Sequence, residues 1–128
     1  AGKSPMSTMA PTMVFNEEGE LILITGSPGG SLIPAAILRV ITGVIDFDLD
    51  IGQATMLPRV HKDWPTTGIL YERTLNSDVV RIINKRIGHK MTAEHTMGST
   101  QSIHVIDQTN HGFADLRRPN ASVSVQTN

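Results

Sequence analysis

The feature that most constrains this chain is a junction. An apolar strand-like stretch, Glu20 to Thr25, runs into Gly26-Ser27-Pro28-Gly29-Gly30-Ser31 and then into a densely apolar helix-like stretch. Two consecutive glycines let the backbone take conformations closed to other residues and let a ligand approach closely. Leu32, Ile33, Ala36, Ile37, Val40, Ile41, Val44 and Ile45 recur at three- and four-residue spacing, which predicts a helix buried on most sides. Ser31 is placed to cap it, and Pro34 falls in the first turn, where a missing N–H does little harm. The N–H groups of such a turn lie near the positive end of a helix, where an anion or a developing oxyanion is stabilised. The pattern alone admits two readings: a strand-to-helix turn that binds nothing, and a loop that holds an anion. It lacks the Gly-Lys-Ser/Thr ending of a phosphate-binding loop and the spacing of a dinucleotide fingerprint, which argues against a nucleotide site.

Around this junction the chain alternates short strands and helices. Thr12 to Phe15 reads as a strand, Asn16-Glu17-Glu18-Gly19 as a turn, and the two strands beside it as a hairpin. Asp50 caps a shorter helix through Met56, ended by Pro58. Arg59 to Gly68 is loop-like, and Ile69 to Glu72 a strand. Asn76 or Ser77 caps a helix to about Ile87, with Val79, Val80, Ile82, Ile83 and Ile87 inward, and Gly88 supplies its left-handed stop. Lys90 to Thr92, Ser102 to Ile106 and Gly112 to Ala114 read as strands, with Asp107 to Asn110 as a turn. The mixture predicts an α+β fold with mainly antiparallel pairing. At 128 residues, with no repeat, linker or composition shift, residues 1–128 read as a single domain with a frayed tail over about 119–128.

Composition narrows the function classes. The chain is 39% hydrophobic and 18% charged, which suits a globular fold. A net charge of −1 predicts no general attraction to nucleic acid or anionic membrane. The absence of cysteine excludes disulfides, cysteine nucleophiles and thiolate metal sites. Leu32 to Ile45, interrupted by Arg39, falls short of the roughly 20 apolar residues of a membrane span. The histidines, His61, His89, His95, His104 and His111, never pair at the spacing that puts two ligands on one helix face, so they read as surface or loop residues and no metal is expected. No Gly-x-Ser-x-Gly elbow supports a serine triad. Ser7 and Thr8 sit in a Met/Pro loop whose hydroxyls can donate to a carboxylate or simply face solvent. Met97-Gly98-Ser99-Thr100-Gln101-Ser102 reads as a turn leading into a strand.

Taken together, GKSPMSTMAPT at 2–12, TGSPGGS at 25–31, Val44-Ile45-Asp46, Ala54 with Pro58-Arg59-Val60-His61 and Trp64, MGSTQSI at 97–103, and Ala114-Asp115 with Arg117-Arg118-Pro119 closely resemble the C-terminal part of the small subunit of γ-glutamyltranspeptidase (glutathione hydrolase). The resemblance implies part of an N-terminal-nucleophile hydrolase, an αββα sandwich of two antiparallel sheets, made as a precursor that cleaves itself into large and small subunits. In that family the small subunit's new N-terminal threonine attacks the γ-amide of glutathione, its own amine acting as base. Water, an amino acid or a peptide then takes the glutamyl group. No cofactor is involved. Bacterial members are periplasmic or secreted.

Carried over by motif, Gly29 and Gly30 would form the oxyanion hole. Ser7 and Thr8 would match the serine pair that holds the substrate's α-carboxylate, with Thr8 where the family usually has serine. Ser31, closing the glycine run, is a further substrate-side residue. Lys62-Asp63 replaces the usual His-Gln before Trp64. The nucleophilic threonine of the family lies upstream of the Ser7-Thr8 position, whereas Thr8, Thr12 and Thr25 are internal and lack a free amine. The chain therefore reads as a fragment without a nucleophile, inactive alone and completed by the large subunit. An uncovered sheet edge and apolar face predict self-association. A catalytically silent structural or anion-binding module, or a related acylase of the same superfamily, are the alternatives.

Overall fold

A computed structural model of the chain describes residues 2–3, 7–65 and 68–124. Two strands, β1 (Thr12–Phe15) and β2 (Leu21–Gly26), form the predicted hairpin. Its turn is closed by Asn16, whose side-chain oxygen accepts from the Glu20 N–H at 2.7 Å while its own N–H donates to the Glu20 carbonyl at 2.9 Å. β6 (Gln101–Ile106) pairs with β2, and β7 (Thr109–Ala114) with β6, giving an antiparallel sheet in the order β1-β2-β6-β7. The β6–β7 turn is tighter than its composition suggests. Asp107 and Gln108 alone make it, both at positive φ (48° and 62°). That conformation matches the twist of a two-residue hairpin, so β7 begins at Thr109, three residues before the predicted start.

One face of this sheet carries α1 (Ile33–Ile45) and α2 (Ile51–Met56). Leu23 from β2, Val40 and Val44 from α1, and Ile51 and Ala54 from α2 form the core, with Val14, Ile41 and Phe113 packed against it. The two helices cross closely because Gly43 has no side chain: a Cβ there would lie 2.8 Å from the Ala54 Cβ. Asp50 caps α2 as predicted, in a reciprocal box with Gln53. Helix α1 is less enclosed than its density of apolar residues implies, since Leu38 and Ile45 are exposed.

A second sheet, ordered β3-β4-β5, is built from β3 (Val60–His61), β4 (Gly68–Glu72) and β5 (Lys90–Glu94). β3 falls where the sequence reads as loop. Its two residues pair with Tyr71 and Leu70, a contact set by β4 and too short to leave a periodic signature. β4 and β5 are parallel, the one exception to antiparallel pairing among the described strands, because α3 (Ser77–Ile82) and a π-helical extension (Ile83–Ile87) carry the chain over between them. Asn76 caps α3 by accepting from the Asp78 N–H, and Gly88 stops the extension at φ 81°. The predicted inward face of this segment is covered only in part: Val80 and Ile83 are half-buried, whereas Val79, Ile82 and Ile87 are exposed. Amphipathic spacing reports that a helix has an apolar face, not which surface meets it.

The outer face of the four-stranded sheet is also apolar, and the described residues cover it only in part. Met13, Ile24 and Ile103 lie side by side across β1, β2 and β6, with Met13 and Ile103 exposed. Beyond the strands, Val123 lies against Gly112, and residues 125–128 lie outside the described residues.

Candidate active site

The glycine run forms a tight turn at the end of β2. Gly29 (φ 142°, ψ 17°) and Gly30 (φ 57°) take conformations that favour glycine, and one 3-10 turn, Gly30–Leu32, leads into α1. No side chain caps either the turn or the helix. The predicted cap, Ser31, sits inside the turn, and its hydroxyl donates instead to Asp63 Oδ2 at 3.4 Å. The turn's leading residues are exposed, and among the described residues no side chain caps their backbone N–H groups.

The Met/Pro loop comes to this turn. Thr8 Oγ1 donates to the Gly30 carbonyl at 2.6 Å, joining residues 22 apart in sequence. Ser7, exposed beside it, accepts from the Met9 N–H at 3.3 Å. Of the five residues predicted to act at the site, Gly29, Gly30, Ser7 and Thr8 gather on one exposed patch. The hydroxyl of Ser31 is engaged instead by Asp63. Asp63 also accepts from His61 Nε2 at 2.8 Å, and that bond, with burial opposing it, holds the Asp63 carboxyl below its ordinary range. His61 is thus a strand residue with a partner, not a free loop histidine.

The glycine turn is braced from behind by the Met97–Thr100 loop. Gly98 (φ 70°) approaches so closely that a Cβ there would lie 2.9 Å from Ser27 Oγ, 3.2 Å from Ala36 Cβ and 3.3 Å from the Pro28 carbonyl. A Cβ on Gly29 would in turn meet the Gly98 Cα at 3.3 Å. The Ser99 N–H donates to Ser27 Oγ at 3.0 Å, and Ser27 passes its own proton to the Pro28 carbonyl at 2.8 Å. Met97, Ser99 and Thr100 are buried, so a segment that reads as a polar turn is an internal brace.

That brace rests on four charges, three buried and Arg117 half-buried, that sequence reasoning did not single out as a group. Arg59 pairs with Asp115 at 2.7 Å and donates to the Met97 carbonyl at 2.6 Å and to Thr100 Oγ1 at 3.0 Å. Arg117 grips Glu72 through two bonds of 2.7 Å each and reaches Asp115 at 3.2 Å. Both carboxylates return to the loop: Glu72 accepts from the Met97 N–H and Asp115 from the Thr100 N–H, each at 2.9 Å. Two cations balance two anions, and each carboxylate is hydrogen-bonded on both oxygens, the condition under which buried ion pairs are tolerated. Burial pushes the Asp115 carboxyl up, but the N–H groups of Arg117 and Thr100 and the charge of Arg59 outweigh it and hold it below its usual range. Glu72 is held low in the same way, chiefly by Arg117 and then by the Met97 and Arg59 N–H groups. For Arg117 the carboxylates more than offset burial, while Arg59 is lowered by burial and by the like charge of Arg117. Charged residues default to the surface, so only the pairing of Arg59 with a residue 56 positions away reveals the cluster.

The sequence profile of the family described as Gamma-glutamyltranspeptidase matches residues 1–125. The Glutathione hydrolase proenzyme of Escherichia coli is 38% identical over 116 residues, covering 90% of this chain and 20% of that protein. The proenzyme of the same name from Bacillus subtilis is 31% identical over 126 residues, covering 96% of this chain and 21% of that protein. The chain thus spans about a fifth of the length of these curated relatives. The crystal structure of a Helicobacter pylori gamma-glutamyltranspeptidase mutant superposes with a TM-score of 0.86 at 32% identity, over 92% of this chain and 65% of that one.

Proposed function

Because the chain belongs to the γ-glutamyltranspeptidase family and carries part of its N-terminal-nucleophile hydrolase fold, we propose that it supplies the oxyanion hole and the carboxylate-binding loop of a γ-glutamyltransferase/glutathione hydrolase. The observation that carries this reading is the Thr8 Oγ1 bond to the Gly30 carbonyl, which fastens one loop to the other. A γ-glutamyl substrate has its α-carboxylate a few bonds from its γ-carbonyl. A site for it needs carboxylate donors and oxyanion donors held at a fixed separation, and a direct hydrogen bond between the two loops sets that separation.

In this reading a threonine outside these 128 residues attacks the γ-carbonyl carbon with its Oγ. The carbonyl oxygen becomes an oxyanion beside the Gly29 and Gly30 N–H groups, the amine leaves with a proton, and a γ-glutamyl ester remains. Water or an acceptor amine then attacks the ester and releases the threonine. An oxyanion donor of this kind contributes about 2.7–4 kcal/mol of barrier lowering. Because the Thr8 hydroxyl proton is committed to Gly30, Thr8 offers the α-carboxylate its N–H, and the Ser7 hydroxyl is the donor left to rotate toward it. The buried charges set the height of the Met97–Thr100 brace and so the position of the glycine turn.

The partly exposed row of Met13, Ile24 and Ile103 fits the inner face of a two-sheet sandwich, and a large subunit is the proposed partner. Autoproteolytic maturation and a periplasmic or secreted setting follow from the same family reading; no described helix is long and apolar enough to cross a membrane. The test is hydrolysis of a γ-glutamyl anilide. A complete precursor containing this sequence is expected to turn it over, Gly30→Val, whose β-branched side chain disfavours φ 57° and so displaces the N–H, to lose most of kcat, and the isolated chain to be silent. Inhibitor-sensitive turnover by the isolated chain, or full activity in Gly30→Val, overturns the assignment. Selective binding of simple anions without γ-glutamate would favour an anion-binding module.

A further inference from the structure

His104 and His111 are directly opposite each other in the β6–β7 ladder. Residues so placed have Cβ atoms about 4.5–5.5 Å apart on one face of the sheet. That face is the one carrying the helices: the neighbouring pair is Ser102 with Phe113, and Phe113 packs against Gly52 of α2. Both histidines line a single cavity of about 360 Å³ with Asp50 and Ile51 of α2. His104 is half-buried, flanked on its other side by Leu23, and its Nδ1 is enclosed without a hydrogen-bond partner among the described residues. His111 is exposed at the mouth. A buried imidazole nitrogen without a partner costs stability unless something satisfies it.

We propose that His104 and His111 form a binding site for a divalent transition-metal cation of the zinc, nickel or copper class. Neutral imidazole is a preferred ligand for these ions, and the cross-strand pairing sets both rings on the face that lines the cavity. Asp50 adds negative charge to the cavity while its Oδ1 stays on the Gln53 N–H at 2.8 Å. No third histidine or carboxylate joins as a ligand among the described residues, so solvent completes the coordination and the cation remains exchangeable. The site lies on β6 three residues beyond Gln101, whose partner Gly26 opens the glycine turn, and it is independent of the γ-glutamyl reading.

The test is calorimetric titration of Ni2+ and Zn2+ into the chain, with paramagnetic Ni2+ broadening of the imidazole resonances as the second readout. One cation per chain is expected, with broadening confined to His104 and His111. His111→Gln, at an exposed position, weakens binding at least about 10-fold, the least that even an outer-shell loss costs, and His104→Gln does the same if circular dichroism shows it folded. His89→Gln and His95→Gln leave affinity unchanged, and Ca2+ does not compete. Unchanged affinity in His111→Gln, or broadening centred on His61, His89 or His95, overturns the proposal even if His104→Gln fails to fold.

Discussion

Replacing Gly98 by alanine isolates the brace behind the glycine turn, and the structure sets the size of the effect. At φ 70° an alanine incurs the left-handed penalty, about 1–2 kcal/mol. Its Cβ would also sit 2.9 Å from Ser27 Oγ and 3.3 Å from the Pro28 carbonyl, inside ordinary contact distance. The Pro28 carbonyl is backbone of the turn itself and Ala36 belongs to α1, so neither can yield alone. Overpacking of this kind costs about 1–3 kcal/mol, for a total of about 2–5 kcal/mol. Gly88→Ala is the internal control: φ is 81°, yet nothing lies within 4 Å of its Cβ, so only the conformational part remains. Urea denaturation of the two variants and the parent, read by far-ultraviolet circular dichroism, is expected to give Gly98→Ala a loss greater than Gly88→Ala by about 1–3 kcal/mol. Equal losses would mean that the Met97–Thr100 loop moves freely against the turn, and the brace would have to be abandoned.

The buried charges make two further outcomes measurable. Asp115→Ala leaves Arg59 buried without its closest anion and is expected to cost about 3–5 kcal/mol by denaturant titration; a loss under about 1 kcal/mol would place the pair at the level of a surface bridge. Asp115 and Glu72 both have folded pKa values below their ordinary ones. Their contribution is therefore complete above the unfolded carboxylate pKa of about 4 and is lost as pH falls through the lower folded values. Denaturation midpoints measured from pH 7 downward should hold steady and then fall from about pH 5, and a chain whose stability instead rises on acidification refutes the assignment of charge. The partly exposed sheet face predicts association: light scattering at rising concentration should show oligomers, reduced by Ile103→Glu, whereas a monodisperse monomer at all concentrations counts against it.

Local signals in the sequence are enough for the hairpin, the α2 capping box, the dense α1 helix and the Gly88 stop, because each depends on residues within a few positions of one another. The motif set likewise carries the family. The sequence falls short where the cause is distant. β3 exists only because β4 lies beside it, and apolar spacing on α3 does not say that Val80 is half-buried while Val79 and Ile82 stay exposed. Arg59, Glu72, Asp115 and Arg117 look like four unrelated surface charges until folding brings them within hydrogen-bonding distance.

The glycine turn divides along the same line. Its two glycines and the helix behind them are dictated by short-range backbone sterics, which the sequence alone determines. That Thr8 fastens to Gly30, that Ser31 turns to Asp63, and that Gly98 presses on Ser27 from the far side are decisions of the tertiary structure. They depend on contacts between residues 22 or more positions apart, whose energies no local propensity contains.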